Sequence, residues 1–379
     1  MAAKSTKAAP PSPRRTKHEH TVLVLQGGGS LGAYQAGAYE GLVEAGIVPD
    51  WITGVSIGAI NAALIAGNPP GRRVERLRTF WDRVSAGAPL TLPPALDPVR
   101  LTFNRISALG AVAFGINGFF SPRVPPPYFA ANGSPDALSF YDTAPLKRTL
   151  DELVDFDLIN DHSTRLSVGA VKVRTGDSVY FDNRHRHITA DHIRASGALP
   201  PGFPPVTIEG EEYWDGGIVS NSPLWYVLDD SPRLNALIVQ VDLFSAKGEL
   251  PQNLNEVLER AKDIQYSSKT RFNTKRIKEL NSLHEVLGRL LEQLPPALRN
   301  SPDGRELYRL CAQGDITIAH LINRRLTYSA QSKDYDFSRT TVNELWAAGL
   351  EDVRRSVANA DLLKARDAGL GMRVYDLTK

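Results

Sequence analysis

The chain has 379 residues, of which 42% are hydrophobic and 23% charged, and its mean hydropathy is -0.24. This composition excludes global disorder, a collagen-like fold and a polytopic membrane protein, and the length allows two or three domains. The 44 basic and 42 acidic residues leave a net charge of +2, far from the basic surface of a nucleic-acid-binding protein. The single cysteine, Cys311, excludes an internal disulfide and fits a reducing compartment.

Residues 1–20 are rich in proline, alanine and charge and contain no apolar run, which predicts a disordered basic arm. Arg14 and Arg15 suggest a twin-arginine signal, but the apolar stretch Val22–Leu25 that follows is too short for a signal core. We therefore expect a cytoplasmic protein. The arm is then a solvated tail or a contact to anionic lipid at a membrane surface.

The next elements alternate between strand and helix. A β-branched run from Thr21, TVLVLQ, ends in glycines and precedes a helical pattern from Ser30 to Ala45. A second run, WITGVS, leads directly into a helix of small apolar residues that ends at Gly67. Later strands are predicted at Arg165–Val173, Ser178–Phe181 and Ala236–Leu243. The alternation predicts an α/β fold of three layers, with a mainly parallel central sheet and helices on both faces.

The first strand-to-helix junction contains four glycines, Gly27, Gly28, Gly29 and Gly32. Consecutive glycines leave backbone N–H groups free to converge on an anion, as in an oxyanion hole or a phosphate cradle. Residues 27–32, GGGSLG, also fit the dinucleotide-binding pattern GxGxxG, which requires an acidic residue at the end of the second strand. Asp50 precedes that strand instead. The dinucleotide interpretation is therefore disfavoured.

The second junction contains a GxSxG motif made of Gly54, Ser56 and Gly58. A strand that enters a helix through a sharp bend needs glycines, and the bend exposes the serine hydroxyl. The positive end of the helix dipole at Ser56 and Ile57 favours developing negative charge. The five letters alone are weak evidence, but their context predicts a nucleophile beside the glycine loop, at the carboxyl edge of the sheet.

Residues 97–141 interrupt the alternation. They contain a charge-free stretch from Ile106 to Pro122 and a proline cluster at Pro125–Pro127. Glycine, asparagine and proline make this stretch a poor membrane span. We expect a buried connection, a flap over an apolar pocket or an interfacial contact.

A serine nucleophile needs a base, and the candidate is Asp215. It follows a predicted short hairpin, and Gly216 and Gly217 hold its carboxylate at a tight turn, although Asp-Gly-Gly is more often a plain turn. An α/β-hydrolase triad would instead use a later histidine, either His284 or His320, and neither carries a local motif. The alternating histidines of NRHRH, at positions 185 and 187, could share a metal but have no evident third ligand nearby.

Beyond Asp242 the alternation of strands stops. Apolar residues at spacings of three and four predict a long helix from Asn253 to Leu294. We expect residues 244–379 to form a mainly helical C-terminal extension. The polar positions of the long helix face either solvent or acidic lipid, and they include Lys262, Lys269, Arg271, Lys275, Arg276 and Lys278.

The three motifs together resemble the patatin-like phospholipase family. That family has a glycine-rich oxyanion loop, a GxSxG elbow and a later Asp-Gly-Gly or Asp-Gly-Ala, here met by Gly27–Gly32, Gly54–Gly58 and Asp215–Gly217. The resemblance covers residues 21–243, which would be the catalytic domain with 97–141 as a candidate flap. The remaining residues resemble an extension found in some bacterial members. This chain departs from the family at Leu31, where many members have arginine or lysine.

The resemblance implies a Ser-Asp dyad without histidine. Ser56 would attack an ester carbonyl and form an acyl-enzyme, Asp215 would act as base, and backbone N–H groups of Gly28, Gly29 and Ile57 would bind the oxyanion. No cofactor or metal is implied. The expected function is a lipid acyl hydrolase acting on phospholipids or lysophospholipids. A thioesterase, a short-ester carboxylesterase, an acyltransferase and a non-catalytic lipid-binding or scaffolding protein remain alternatives. The expected partner is the lipid or acyl-ester substrate, with peripheral membrane contact and without nucleic acid.

Overall fold

The computed structural model describes residues 18–85, 110–230, 235–311, 315–324, 334–358 and 371–377. Most of the basic arm predicted for residues 1–20, including Arg14 and Arg15, lies outside the described residues, as do residues 97–109 of the candidate flap.

The described residues form eleven strands. Nine of them make one sheet with the order β11-β10-β9-β1-β2-β5-β8-β7, in which β6 also pairs with β5, and β3 and β4 form a separate hairpin. The strands are β1 (His20–Leu25), β2 (Trp51–Val55), β3 (Ser121–Pro122), β4 (Tyr141–Asp142), β5 (Arg165–Lys172), β6 (Ser178–Asp182), β7 (Val206–Ile208), β8 (Glu211–Asp215), β9 (Ala236–Asp242), β10 (Asp315–Ile322) and β11 (Gly371–Asp376).

Helices of the described residues pack around this sheet. They are α1 (Gly32–Glu44), α2 (Ile57–Ala66), α3 (Arg73–Val84), α4 (Ala144–Leu153), α5 (Phe156–Asn160), α6 (Ala190–Ser196), α7 (Leu224–Asp230), α8 (Leu254–Gln293), α9 (Pro296–Arg299), α10 (Pro302–Cys311) and α11 (Arg339–Ala358). Within the described ranges, no helix combines the length and the apolar composition that crossing a membrane requires.

The sheet is buried on both faces, as predicted. Successive side chains of a strand point to opposite faces. In β1, Leu23 and Leu25 therefore belong to the large core beneath α1 and α2, while Val22 and Val24 pack in a second core with residues of α7. Every pair among β11, β10, β9, β1, β2 and β5 is parallel, whereas β6, β7 and β8 pair antiparallel. The predicted α/β fold with a mainly parallel sheet and helices on both faces is confirmed.

The C-terminal region is helical over α8 to α11 but also contains strands that the sequence pattern did not predict. β10 and β11 extend the parallel sheet beyond β9. Helix α11 packs closely on α1 because glycines at the crossing carry no side chain: a Cβ on Gly37 would lie 1.9 Å from the carbonyl oxygen of Trp346. The division of the chain after residue 243 stays a prediction.

The strand registers bring the two candidate catalytic residues to one level of the sheet. Val55, the last residue of β2, pairs with Gly169 of β5, and the next residue of β5, Ala170, pairs with Asp215. Because β8 runs antiparallel to β5, its chain returns from the edge of the sheet toward the end of β2. Ser56 and Asp215 therefore face each other across strand β5.

Candidate active site

Ser56 occupies a sharp bend between β2 and α2. Its backbone has φ of 57° and ψ of -125°, a conformation rare outside glycine and typical of strain at functional sites. The two glycines of the motif allow this bend, because a Cβ on Gly54 would lie 2.3 Å from the backbone of Gly58, and one on Gly58 would lie 2.4 Å from the Leu25 carbonyl oxygen. The bend holds the serine at the N-terminus of α2.

The backbone of Ser56 is held by a second serine that no motif marks. The Ser56 N–H donates to the carbonyl and to the Oγ of Ser196, both at 3.1 Å. The Ser196 hydroxyl in turn donates to the carbonyl of Gly169 at 2.6 Å. Ser196 therefore ties the bend to β5 and stabilises its strained backbone. In the sequence it is the second residue of the proline-rich stretch ASGALPPGFPPV, residues 195–206, and belongs to no motif.

Asp215 is the last residue of β8 and is buried beside Ser56. Its carboxyl accepts a hydrogen bond from the Gly217 N–H at 2.7 Å, and the Ser56 side chain lies close enough to lower its pKa. Burial raises the pKa of the Asp215 carboxyl to about 7, although the neighbouring Ser56 side chain and the Gly217 N–H favour the ionised form. A carboxyl with this pKa can exchange a proton with the serine hydroxyl near neutral pH.

The glycine loop presents backbone N–H donors next to this pair. The Gly27 N–H is occupied, since it donates to the Asn221 carbonyl at 3.2 Å while the Asn221 amide donates back to the Gly27 carbonyl at 3.0 Å. In the described part of the chain, the N–H groups of Gly28 and Gly29 have no such backbone acceptor. The Ile57 N–H at the first position of α2 has no partner within its helix. These three groups are available to an anion.

Buried polar side chains support the loop from below. The Asn61 amide on α2 donates to the Gly32 carbonyl and to the Gln35 side chain, both at 3.0 Å, and receives the indole N–H of Trp81 at 3.1 Å. Gln35 donates to the Gln26 carbonyl at 2.7 Å. Gly32 lets α1 approach α2, because a Cβ there would lie 2.5 Å from Ile57. A lone asparagine in an apolar helix was the one sequence feature that could have indicated this network.

The C-terminal region contacts the same loop. The carbonyl of Asp334 accepts the Ser30 N–H at 2.9 Å and lies so close to Gly29 that a Cβ there would be 2.1 Å from it. Gly29 itself has a φ of +55°. The Asp334 side chain is paired with Lys262 of α8 at 2.7 Å. Leu31, which follows this contact in the loop, is fully buried in the core.

A cavity of about 300 Å³ opens onto Ser56 and Asp215. Its wall is mainly aromatic and aliphatic, which suits an acyl chain better than a polar ligand. The candidate flap and the C-terminal region both contribute to it. The apolar lining residues are Ile57, Ile60, Val112, Phe119, Phe120, Phe140, Tyr141, Leu199, Phe203, Phe244, Tyr266, Tyr335 and Phe337. Whether residues 97–141 move as a flap stays a prediction.

The later histidines lie apart from this cavity. His320 is on β10, where its Nε2 pairs with the Asp242 carboxylate, and His284 is on α8; neither lines the cavity. Within the described ranges, no three His, Cys, Asp or Glu side chains are grouped to hold a metal ion, and this includes His185 and His187.

Comparisons with known proteins agree with the motifs. The model of a family described as patatin-like phospholipase matches residues 23–228, more than half of the chain. A second model, described as patatin phospholipase, matches residues 264–369. The first match contains the glycine loop, the GxSxG bend and Asp215, and the second covers much of the C-terminal region.

Individual relatives are distant. An uncharacterised NTE family protein of Mycobacterium tuberculosis is 26% identical over 213 residues, covering 55% of this chain and 28% of the relative. A putative patatin-like phospholipase domain-containing protein of Caenorhabditis elegans is 41% identical over 59 residues, 16% of this chain and 5% of the relative. The chain thus spans less than a third of either protein. The crystal structure of VipD from Legionella pneumophila aligns with 95% of this chain and 71% of its own, at 13% identity and a TM-score of 0.37.

Proposed function

Because the chain belongs to the patatin-like phospholipase family, we propose that it is a lipid acyl hydrolase that cleaves carboxylic esters of phospholipids or lysophospholipids through Ser56 and Asp215. The observation that carries the proposal is the close approach of Ser56 to the buried carboxyl of Asp215, since both line the same apolar cavity. The N–H groups of Gly28 and Gly29, which donate to no backbone carbonyl among the described residues, support it, because an ester carbonyl in reach of Ser56 develops negative charge as it is attacked.

In the proposed reaction Asp215 takes the hydroxyl proton as the Ser56 Oγ attacks the ester carbonyl. The backbone N–H groups of Gly28, Gly29 and Ile57 bind the resulting oxyanion. The tetrahedral intermediate collapses, the ester C–O bond breaks, and the leaving alcohol receives the proton from Asp215. The acyl group is now on Ser56. Asp215 then takes a proton from water, hydroxide attacks the acyl-enzyme, and fatty acid and free serine are released as the proton returns to Ser56.

The proposed base predicts the pH dependence of the reaction. Asp215 must be ionised to accept a proton, and its pKa is raised to about 7. We therefore expect kcat/KM on a soluble ester to be level above about pH 8 and to fall about tenfold per pH unit below pH 7. The His320→Gln variant should show the same fall in kcat/KM below pH 7, because His320 pairs with Asp242 rather than with Asp215. Asp215 is not the base if kcat/KM is constant between pH 5.5 and 8, or if its fall at low pH disappears in the histidine variant.

The substrate class is tested with a panel of acyl donors. We expect fatty acid release from phosphatidylcholine and lysophosphatidylcholine to exceed turnover of an acyl-CoA and of a short ester in kcat/KM. Fluorophosphonate labelling of Ser56, measured by peptide mass spectrometry, counts active sites. Faster turnover of the thioester, of the short ester or of transfer to an added alcohol would favour a thioesterase, a carboxylesterase or an acyltransferase. Liposome binding without Ser56-dependent turnover of any donor would favour a non-catalytic lipid-binding protein.

The glycine loop is tested by adding a single methyl group. In Gly28→Ala the new Cβ would lie 2.8 Å from Leu243 and 3.1 Å from Phe244, and because both side chains are buried we expect the loop to shift and misplace its donors. Loss of one oxyanion donor typically lowers kcat by about 10² to 10³-fold, and we expect a loss of this size. The matched control is Gly71→Ala, since a Cβ there meets no atom within 4 Å. Near-normal kcat in Gly28→Ala would exclude this loop as the oxyanion site.

A further inference from the structure

The segment over the cavity, residues 110–141, exposes large apolar side chains. Phe114, Val124, Tyr128 and Phe129 are each between 79% and 89% exposed, and we call these four residues the apolar rim. Val112, Leu138 and Phe140 of the same segment are also exposed. Exposed apolar residues are normal when scattered singly, but several large ones grouped in one segment mark a binding surface.

The segment carries almost no charge. Residues 110–141 contain one basic and one acidic side chain, Arg123 and Asp136, and these form an ion pair with each other. Pro125, Pro126 and Pro127 remove three backbone donors beside the rim. The surface therefore offers few hydrogen-bonding groups. A protein partner ordinarily makes about one hydrogen bond per 100 to 200 Å² of interface, which this surface is poorly equipped to supply.

The rim is continuous with the wall of the cavity. The ring of Tyr128 packs edge-on against Phe140 at a centroid distance of 5.9 Å, and Phe140 lines the cavity. Val112, which lines the cavity too, is held by a hydrogen bond from the Tyr141 hydroxyl to its carbonyl at 2.8 Å. An apolar path thus leads from the outer surface to the space above Ser56 and Asp215.

The segment is anchored to the body of the protein at its base. The N–H of Phe140 donates to the Pro201 carbonyl at 3.1 Å and that of Tyr141 to the Gly202 carbonyl at 2.9 Å. Phe119 packs on Phe203 and Phe337 beneath it. The rim side chains are therefore held outward by a packed base, with no cover from the described residues of the core.

We propose that the apolar rim inserts into the surface of a lipid bilayer and places the mouth of the cavity against the membrane. The proposal rests on the proposed function in one respect, that the cavity receives a lipid acyl chain. Aromatic and aliphatic side chains stabilise binding at the boundary between headgroups and acyl chains by removing apolar area from water. Because the rim is uncharged, it binds zwitterionic phosphatidylcholine, and added salt leaves the binding unchanged.

The test measures vesicle binding separately from catalysis. The full chain with Ser56→Ala is sedimented with phosphatidylcholine vesicles, so that no lipid is hydrolysed. Phe114→Ser with Phe129→Ser in this background should weaken binding by at least about tenfold, since each phenylalanine loses its transfer from water. The matched control, Leu298→Ser with Tyr308→Ser, removes two exposed apolar side chains of α9 and α10 and should bind as the parent does.

The same pair of rim substitutions with Ser56 intact gives the second readout. Neither residue lines the cavity, so kcat/KM on a soluble short ester should stay within about twofold of the parent, while hydrolysis of vesicle lipid falls with binding. Unchanged melting temperature and soluble turnover establish that the variant is folded.

Three results would overturn the proposal. The first is equal vesicle binding by the rim variant and the parent. The second is binding that requires anionic lipid and is lost in about 0.5 M salt, where charges are screened beyond a few Å. The third is a dimer in sedimentation velocity that the rim substitutions convert to a monomer, without any vesicle binding. Failure of the proposed function looks different: no donor is turned over, yet vesicle binding still depends on the rim.

Discussion

Ser56→Ala will reduce turnover of every acyl donor by about 10⁴-fold or more while leaving the protein folded. The expectation follows from the covalent role proposed for the hydroxyl, because removal of a nucleophile in serine hydrolases leaves only the contribution of the oxyanion site and substrate binding. Alanine fits the bend without new contacts, although it removes the hydroxyl beside Asp215. The measurement is kcat on phosphatidylcholine and on a short ester, together with a thermal melt.

The control for this prediction is Ser163→Ala, which changes an exposed serine near the opposite edge of the sheet and should leave kcat unaltered. Fluorophosphonate labelling should disappear in Ser56→Ala and persist in the control. Turnover above about one per cent of the parent value in Ser56→Ala, from a preparation free of contaminating esterase, would mean that another group is the nucleophile.

Asp215→Asn will abolish turnover to a similar extent and will also stabilise the protein at alkaline pH. In the unfolded chain this carboxyl ionises near its ordinary pKa of 3.8, whereas burial raises its pKa in the folded protein to about 7. Between these values the folded state binds more protons than the unfolded state, so stability falls as the pH rises from about 4 to about 7. Above pH 7 the folded protein holds an ionised, buried carboxylate. The uncharged side chain of Asp215→Asn removes the free-energy cost of burying that charge.

We therefore expect the melting temperature of Asp215→Asn to match the parent near pH 4.5 and to exceed it by several degrees at pH 8. Asp177→Asn, on an exposed turn, controls for the change in net charge. A melting difference that is the same at both pH values would show that Asp215 is not buried as an acid of raised pKa. Turnover retained in Asp215→Asn, together with loss in His284→Ala or His320→Ala, would reassign the base to histidine.

The two strand-to-helix junctions could be predicted because their chemistry is local. A sharp bend needs glycines within two residues of the serine, and Gly54 and Gly58 meet this need inside five letters of sequence. The burial of β1 and β2 on both faces follows equally from continuous apolar runs. The short hairpin predicted before Asp215 is present as β7 and β8, and its turn has Glu209 and Gly210 at positive φ.

The supporting residues of the candidate site could not be predicted in this way. Ser196 holds Ser56 across 140 residues of sequence, and Asn221 holds Gly27 across 194. Each is a single common polar residue with no repeated spacing around it, so only proximity in space distinguishes it from a surface serine or asparagine. The contact of Asp334 with the glycine loop is more distant still along the chain.

What the amino-acid sequence determined by itself is the set of groups available for chemistry: a serine at a forced bend, a run of glycines at a neighbouring junction and an aspartate in a tight turn. Only the tertiary structure decided how these groups are placed relative to one another and how deeply each is buried. The antiparallel return of β8 along β5 brings Asp215 opposite Ser56, and burial there raises the pKa of its carboxyl. The reason is physical: backbone bends depend on neighbouring residues, whereas desolvation and hydrogen bonding depend on which distant segments the fold packs around a group.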